Sequence, residues 1–268
     1  MEWLIDVCID TLKLLPVLFP AYLIMEYLEK RLDSLKLDRL LKHYGPLLGA
    51  GFGVLPQCGF SVLAAALYLE GKVTLGTLIS VFIATSDETI PILMAYPSAY
   101  HSLLLLIVFK VVIAIIIGYV VDYFIKERKV YTSIISKDEE QGPLKSALLR
   151  TLKIALFIFL TNIVVTVLIN TIGQQQMNNI LLRNSIWQPL AASLFGFIPN
   201  CAISVVLCQL FLKGTLSFAS LLSGLITNAG MGLIVLIEYR LPLCKLLLIM
   251  MILLGTAVLF GLLFQLIA

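Results

Sequence analysis

The sequence predicts an all-α polytopic membrane protein made of two inverted-topology repeats. Each repeat is expected to hold spanning helices and a re-entrant or broken helical hairpin at a Pro-polar-Cys motif. Three observations carry that expectation. The composition suits a bilayer, one apolar phrase occurs twice, and the lysines and arginines fall differently around the two copies.

Composition decides the solvent. Of 268 residues, 60% are hydrophobic and 13% charged, and the mean hydropathy is +1.02. A chain of this kind cannot cover itself with a water-facing surface. Apolar stretches near 14–28, 74–96, 102–121, 152–172, 216–237 and 243–267 are the candidates for crossing a hydrocarbon core about 30 Å thick. Asp6 and Asp10 stand where a leader would carry basic residues, so no signal peptide is expected. The net charge of +3 gives no case for a nucleic-acid partner. Five scattered cysteines without a CxxC exclude a disulfide framework and a zinc ribbon. There is no GxxxxGK[ST] phosphate loop, so any transport is driven by a gradient or a partner subunit.

The duplicated phrase is FGVLPQCGFSVLAAALYLEG at 52–71 and FGFIPNCAISVVLCQLFLKG at 195–214. Pro56 falls on Pro199, an offset of 199 − 56 = 143, and Gln57, Cys58 and Ser61 fall on Asn200, Cys201 and Ser204. Without a gap, Pro46 falls on Pro189, Gly71 on Gly214, Ser80 on Ser223 and Gly118 on Gly261. A doubled hydrophobic unit interrupted at the same point in each copy points to a transporter site at a repeat interface.

Charge sets the orientation. Lys30, Arg31, Lys36, Arg39 and Lys42 precede the first core, and Lys126, Arg128, Lys129, Lys137, Lys145 and Arg150 fill the central stretch 126–150. Both regions are expected in the cytoplasm, because lysine and arginine are retained there. The counterpart of the first loop, 173–185, holds only Arg183 and is expected outside, which inverts the halves. The divisions are then a membrane repeat over 1–125, a cytoplasmic linker over 126–143 and a second membrane repeat over 144–268. Parity demands an even number of crossings between the two basic regions. Two half-length pieces, near 44–56 and 59–70, satisfy it. Each reaches only about 18 Å at 1.5 Å per residue, and they make a re-entrant hairpin or two short crossings.

At the tip of such a hairpin, Pro56 and Pro199 disfavour helix at the residue before them. The freed carbonyls and the following helix start are then open to a ligand. Cys58 and Cys201 stand at those starts, where the dipole favours thiolate. With Gln57, Asn200, Ser61 and Ser204 they form a donor set for a metal or metalloid. Cys8, Cys208 and Cys244 have no such setting and read as small buried hydrophobes.

A second polar feature interrupts 74–96, where Thr85-Ser86-Asp87-Glu88-Thr89 is followed by Pro91. Ionisable groups inside a spanning segment mark a pathway or relay. The counterpart, Thr227-Asn228-Ala229-Gly230-Met231-Gly232, keeps polarity at Thr85/Asn228 but has no acid. Asp87 and Glu88 are therefore candidates for a coupling ion or for metal. Lys110, whose counterpart is Leu253, needs a partner, and one of the two acids is the natural one unless Lys110 snorkels to an interface. Asp6, Asp10 and Lys13 share a helix face and read as a solvated end; His43 and His101 sit at segment rims and are assigned no metal.

At VLPQCGFS, ATSDETIPILMA, GFIPNCAISVV and TNAGMGLIVL the chain resembles the bacterial ten-transmembrane heavy-metal exporters, whose members carry the names arsenic efflux protein and manganese transporter. The resemblance runs over nearly the whole chain. It implies a multi-pass protein of the bacterial inner membrane that exports a metal or metalloid. Members with a histidine-rich central region differ from this one, whose SIISKDEEQGP linker has no His or Cys. Manganese favours the oxygens of Asp87, Glu88, Gln57 and Asn200, whereas arsenite favours Cys58 and Cys201, and the residues supply both sets. An oxyanion, an organic anion or a lipid phosphate is the alternative cargo, since opposed half-helix starts attract anions. A membrane hydrolase built on Cys58 and Asp87 lacks a histidine base, so no enzyme is expected. No cofactor is expected, and the partners are membrane lipid, a small ion and, as an assembly the pattern allows, a homodimer.

Overall fold

The structure is a computed structural model that describes residues 34–55, 59–86, 89–125, 156, 187–199 and 201–267, with backbone only for 34–43, 201–202 and 267. Every element among the described residues is helical. The first half contains α1 (Ser34–Gly53), α2 (Gly59–Leu69), α3 (Leu75–Ala84), α4 (Thr89–Met94), a 3₁₀ turn (Pro97–Ala99) and α5 (Tyr100–Phe124). The second contains α6 (Gln188–Gly196), α7 (Cys201–Leu212), α8 (Phe218–Thr227), α9 (Gly232–Glu238) and α10 (Leu243–Ile267).

The 143-residue offset of the sequence recurs in the elements. α3 and α8 differ by 218 − 75 = 143 at their starts, and α5 and α10 by 267 − 124 = 143 at their ends. The capping bonds recur as well. Thr74 Oγ1 accepts from the Thr77 amide and donates to Asp122 Oδ2 at 2.7 Å. Ser217 Oγ accepts from the Ser220 amide and donates to Gln265 Oε1 at 2.8 Å. Each cap closes a helix start and ties it to the end of the long helix in its own half. Gly71 and Gly214 take the same left-handed backbone, φ +70° and +68°, at the turns that follow α2 and α7.

Small residues set the helix spacing. α3 lies between α1 and α5, and α8 between α6 and α10. A methyl on Gly118 would come within 2.7 Å of the Pro46 Cβ, and one on Gly261 within 2.8 Å of the Pro189 Cβ. Backbones approach this closely in membranes because dispersion and hydrogen bonds, not water exclusion, hold helices together. The halves then exchange arms: α2 packs on α9, and α7 packs on α4. α3 meets α8, and the rings of Phe109 on α5 and Phe264 on α10 meet at a tilt of 59°, with centroids 4.5 Å apart.

Among the described residues, four stretches are long and apolar enough to cross a membrane: Leu75–Met94, Pro97–Phe124, Phe218–Glu238 and Leu243–Leu266. The first and third are buried in the protein. The second and fourth turn apolar stripes outward, such as Leu104, Val108, Val112 and Ile116 on α5. That is the division expected when hydrocarbon is the solvent.

Two expectations change. α1 runs 20 residues from Ser34, so it is not a half-length piece near 44–56, and residues 34–42 are helix rather than loop. The run from Ser34 to Tyr44 has no glycine or proline and is rich in Leu, Lys and Arg, which continue a helix readily. The stretches 74–96 and 216–237 are not continuous helices, because each is interrupted near its middle, between α3 and α4 and between α8 and α9. Segments 14–28 and 152–172 (Leu156 aside), the linker 126–143 and the loop 173–185 lie outside the described residues.

Candidate site at the paired helix breaks

α3 stops at Thr85, whose hydroxyl donates back to Val81 O at 2.7 Å, the same carbonyl that accepts from the Thr85 amide. With φ −53° and ψ 126°, Thr85 leaves helical geometry, and Ser86 Oγ donates to Ala84 O. α8 stops at Asn228, whose side-chain oxygen accepts from the Gly230 amide at 3.3 Å. Gly230 takes φ +58°, so this break depends on a residue without a Cβ. Thr227 Oγ1 donates to Ser193 O on α6 at 2.7 Å, anchoring the end of α8 to its neighbour. Each helix end leaves carbonyls without intrahelical partners and carries partial negative charge.

Lys110 joins the two ends. Its side chain lies inside the protein with 0% exposure, and Nζ donates to Thr85 O and to Leu225 O, the latter at 3.0 Å. Leu225 O is free to accept because the Ala229 amide turns back to Thr227 O. An ammonium between two helix C-termini from different halves is well placed electrostatically. Lys110 does not snorkel.

Ser61 on α2 and Ser204 on α7 are both buried. Ser61 is in close contact with the second break, since a methyl on Gly232 would lie 2.7 Å from Ser61 O and against the Phe82 ring. Thr85 and Asn228 are buried C-caps of the two breaks. Gln57, Cys58, Asp87, Glu88 and Asn200, together with the side chain of Cys201, lie outside the described residues. Among the described residues no three His, Cys, Asp or Glu side chains gather into a metal cluster.

Two residues at this place had no role assigned from the sequence, one being the end of the polar stretch 85–89 and the other read as a small buried hydrophobe. Thr89, the first residue of α4, and Cys208 on α7 are both fully buried and lie beside each other, within electrostatic reach of Lys110. A signal was present in the duplication: their counterparts are Gly232 (89 + 143) and Ala65 (208 − 143), so the polar pair exists in one half alone.

The arrangement offers main-chain oxygens and helix ends of negative character to a cation, with a built-in ammonium already engaged there. No curated protein and no solved structure matches the chain. A family match covers residues 16–171 and again 146–268, taking in both halves and both breaks. The chain belongs to the family described as "Putative, 10TM heavy-metal exporter".

Proposed function

We propose that this multi-pass membrane protein is a secondary transporter that exports a metal or metalloid ion through a site at the interface of two inverted repeats. The observation that carries the reading is Lys110, which holds carbonyls of both breaks from within the protein interior. Transporters place their sites where interrupted helices of two repeats meet near the bilayer midplane. The matching element boundaries and caps of the two halves support a duplicated unit, and the loop charges support its inversion. In this reading the hairpins at Pro56 and Pro199 re-enter the membrane and bring Gln57, Cys58, Asn200 and Cys201 to the axis. Main-chain oxygens at helix C-termini favour a cation over an oxyanion or lipid phosphate.

The ionisable groups at this depth are all in the first half: Asp87, Glu88 and Lys110 stand where the second half has Gly230, Met231 and Leu253. A site for cargo alone needs no such asymmetry, whereas a coupled cycle needs a group that changes charge. One of the two acids therefore carries the coupling proton, and Lys110 is its counter-charge. The test is metal efflux from reconstituted vesicles across a pH gradient, with Asp87→Asn and Glu88→Gln made separately. At least one variant loses pH-dependent transport and keeps metal binding. Transport by both variants with the wild-type pH dependence overturns the coupling assignment, and absence of any metal flux in the wild type overturns the transporter reading.

A further inference from the structure

The first residue of α6, Gln188, is buried and bonded to the start of α8. Its Nε2 donates to Thr215 O at 2.9 Å, and its Oε1 accepts from the Ser217 amide at 3.1 Å and the Ser220 hydroxyl at 3.0 Å. At the other end of the same contact, Thr227 Oγ1 donates to Ser193 O. Side chains thus key α6 to α8 at both ends. In the first half, Gly45 stands in the place of Gln188 (188 − 143 = 45), and Ala84 and Ala50 stand for Thr227 and Ser193. None of these has a polar side chain. A Cβ on Gly45 would run into the Thr77 hydroxyl, so α1 lies too close to α3 there for a key to fit.

α1 meets α3 through glycine instead. Gly49 is pressed on Thr77 O and the Val81 side chain, and Gly53 on Val81 O and the Ala84 methyl. At these positions dispersion between smooth surfaces holds the helices, without a directional bond. Ser80 Oγ donates to Pro46 O at 2.6 Å, whereas its counterpart Ser223 turns away from α6 to Ala257 O on α10. This tie of α3 to α1 therefore falls at a proline inside a helix, where an intrahelical bond is already missing. Beyond Pro46, Gly49, Gly51 and Gly53 weaken the helix further. In α6 the equivalent Pro189 sits in the first turn, where it removes no bond, and the one glycine is Gly196.

We propose that the part of α1 beyond Pro46 is the moving arm of the transport cycle, turning at the Pro46–Ser80 bond, while α6 stays fixed on α8. The arm rests on the transporter reading and assigns the motion to one half. It adjoins a group that bridges the two breaks. Gly53 lies against Ala84, the residue before Thr85, whose carbonyl Lys110 holds. A change in that bond shifts the end of α3, and with it the surface on which the arm rests. No key has to break for the arm to move, so a coupling ion can shift its population between two positions. To move likewise, α6 has to give up four hydrogen bonds, three at Gln188 and one at Thr227.

The experiment uses the full chain in lipid vesicles and compares amide hydrogen exchange over 49–53 of α1 with that over 192–196 of α6. The α1 amides should be at least about tenfold less protected, since local opening follows the weaker attachment. Equal protection, or weaker protection in α6, overturns the arm. Gln188→Ala should lower protection over 192–196 toward that of the arm, and unchanged protection there overturns the clamp that fixes α6. Ala84→Thr supplies the hydroxyl that Thr227 has, in the space that Gly53 leaves open as Gly196 does for Thr227. It should raise protection in α1 and lower Cd²⁺ and Mn²⁺ efflux severalfold. Wild-type efflux in a variant whose α1 has become better protected overturns the proposal. Where Ala84→Thr fails to fold or leaves exchange unchanged, the wild-type comparison decides. A wild type that moves neither ion sinks the transporter reading, while the exchange comparison still decides which helix is the loose one.

Discussion

Lys110 is the residue on which the two halves most visibly depend. Its Nζ serves Thr85 O and Leu225 O, both buried helix-end carbonyls, so removing the ammonium leaves two acceptors without their donor. Hydrogen bonds to charged groups and the desolvation of orphaned acceptors together put Lys110→Met at a cost on the order of 3 kcal/mol. We expect a lower melting temperature and lost transport. Lys110→Arg should regain part of the stability, because the guanidinium keeps charge and donors but not the compact ammonium geometry. An unchanged melting temperature in Lys110→Met would show that the two carbonyls have other donors. The lysine itself was conspicuous in an apolar segment, and its need for a partner followed from burial. That it holds main-chain carbonyls on α3 and α8 did not follow, since those oxygens are freed only once the helices end.

At the scale of elements, glycines report where helices touch. A methyl on Gly196 would run into Gly224 O and the Thr227 hydroxyl, at the contact between α6 and α8. Gly255 on α10 has open space around its Cβ position. Gly196→Ala should therefore lower the melting temperature clearly, by about 1–3 kcal/mol of overpacking. Gly255→Ala should be neutral or slightly stabilising, since alanine is the better helix former. Equal effects of the two would mean that α6 and α8 are not packed as described. Both glycines look alike in the sequence, each in an apolar run. Helix length shows the same limit: parity suggested a half-length piece near 44–56, yet α1 spans Ser34–Gly53 because the residues before 44 sustain a helix.

For the whole molecule, the proposed inversion makes a prediction about sides. Lys36 and Lys137 should face the cytoplasm and Arg183 the opposite compartment, because regions rich in lysine and arginine are preferentially retained inside. Single cysteines introduced at 36, 137 and 183 can be labelled with a membrane-impermeant thiol reagent from intact cells. We expect label at 183 and protection at 36 and 137. Labelling of 36 and 183 from one side would sink the inversion.

Several features of this protein are determined by the sequence itself. Composition sets the bilayer as solvent, and the long helices α5 and α10 follow the apolar runs near 102–121 and 243–267. The 143-residue repeat locates paired interruptions, since proline and glycine act on their own neighbours whatever the tertiary fold. The Ser-Asp-Glu stretch stands out as polarity inside an apolar run, but that a helix ends beside it, at Thr85, was not legible in the sequence. The tertiary structure decided what those breaks face. Lys110 reaches across to Leu225, 115 positions along the chain, and Thr89 meets Cys208 only because α7 packs on α4 of the other half. Such contacts depend on how closely helices approach through small residues, and dispersion at that range leaves no periodic signature in the sequence.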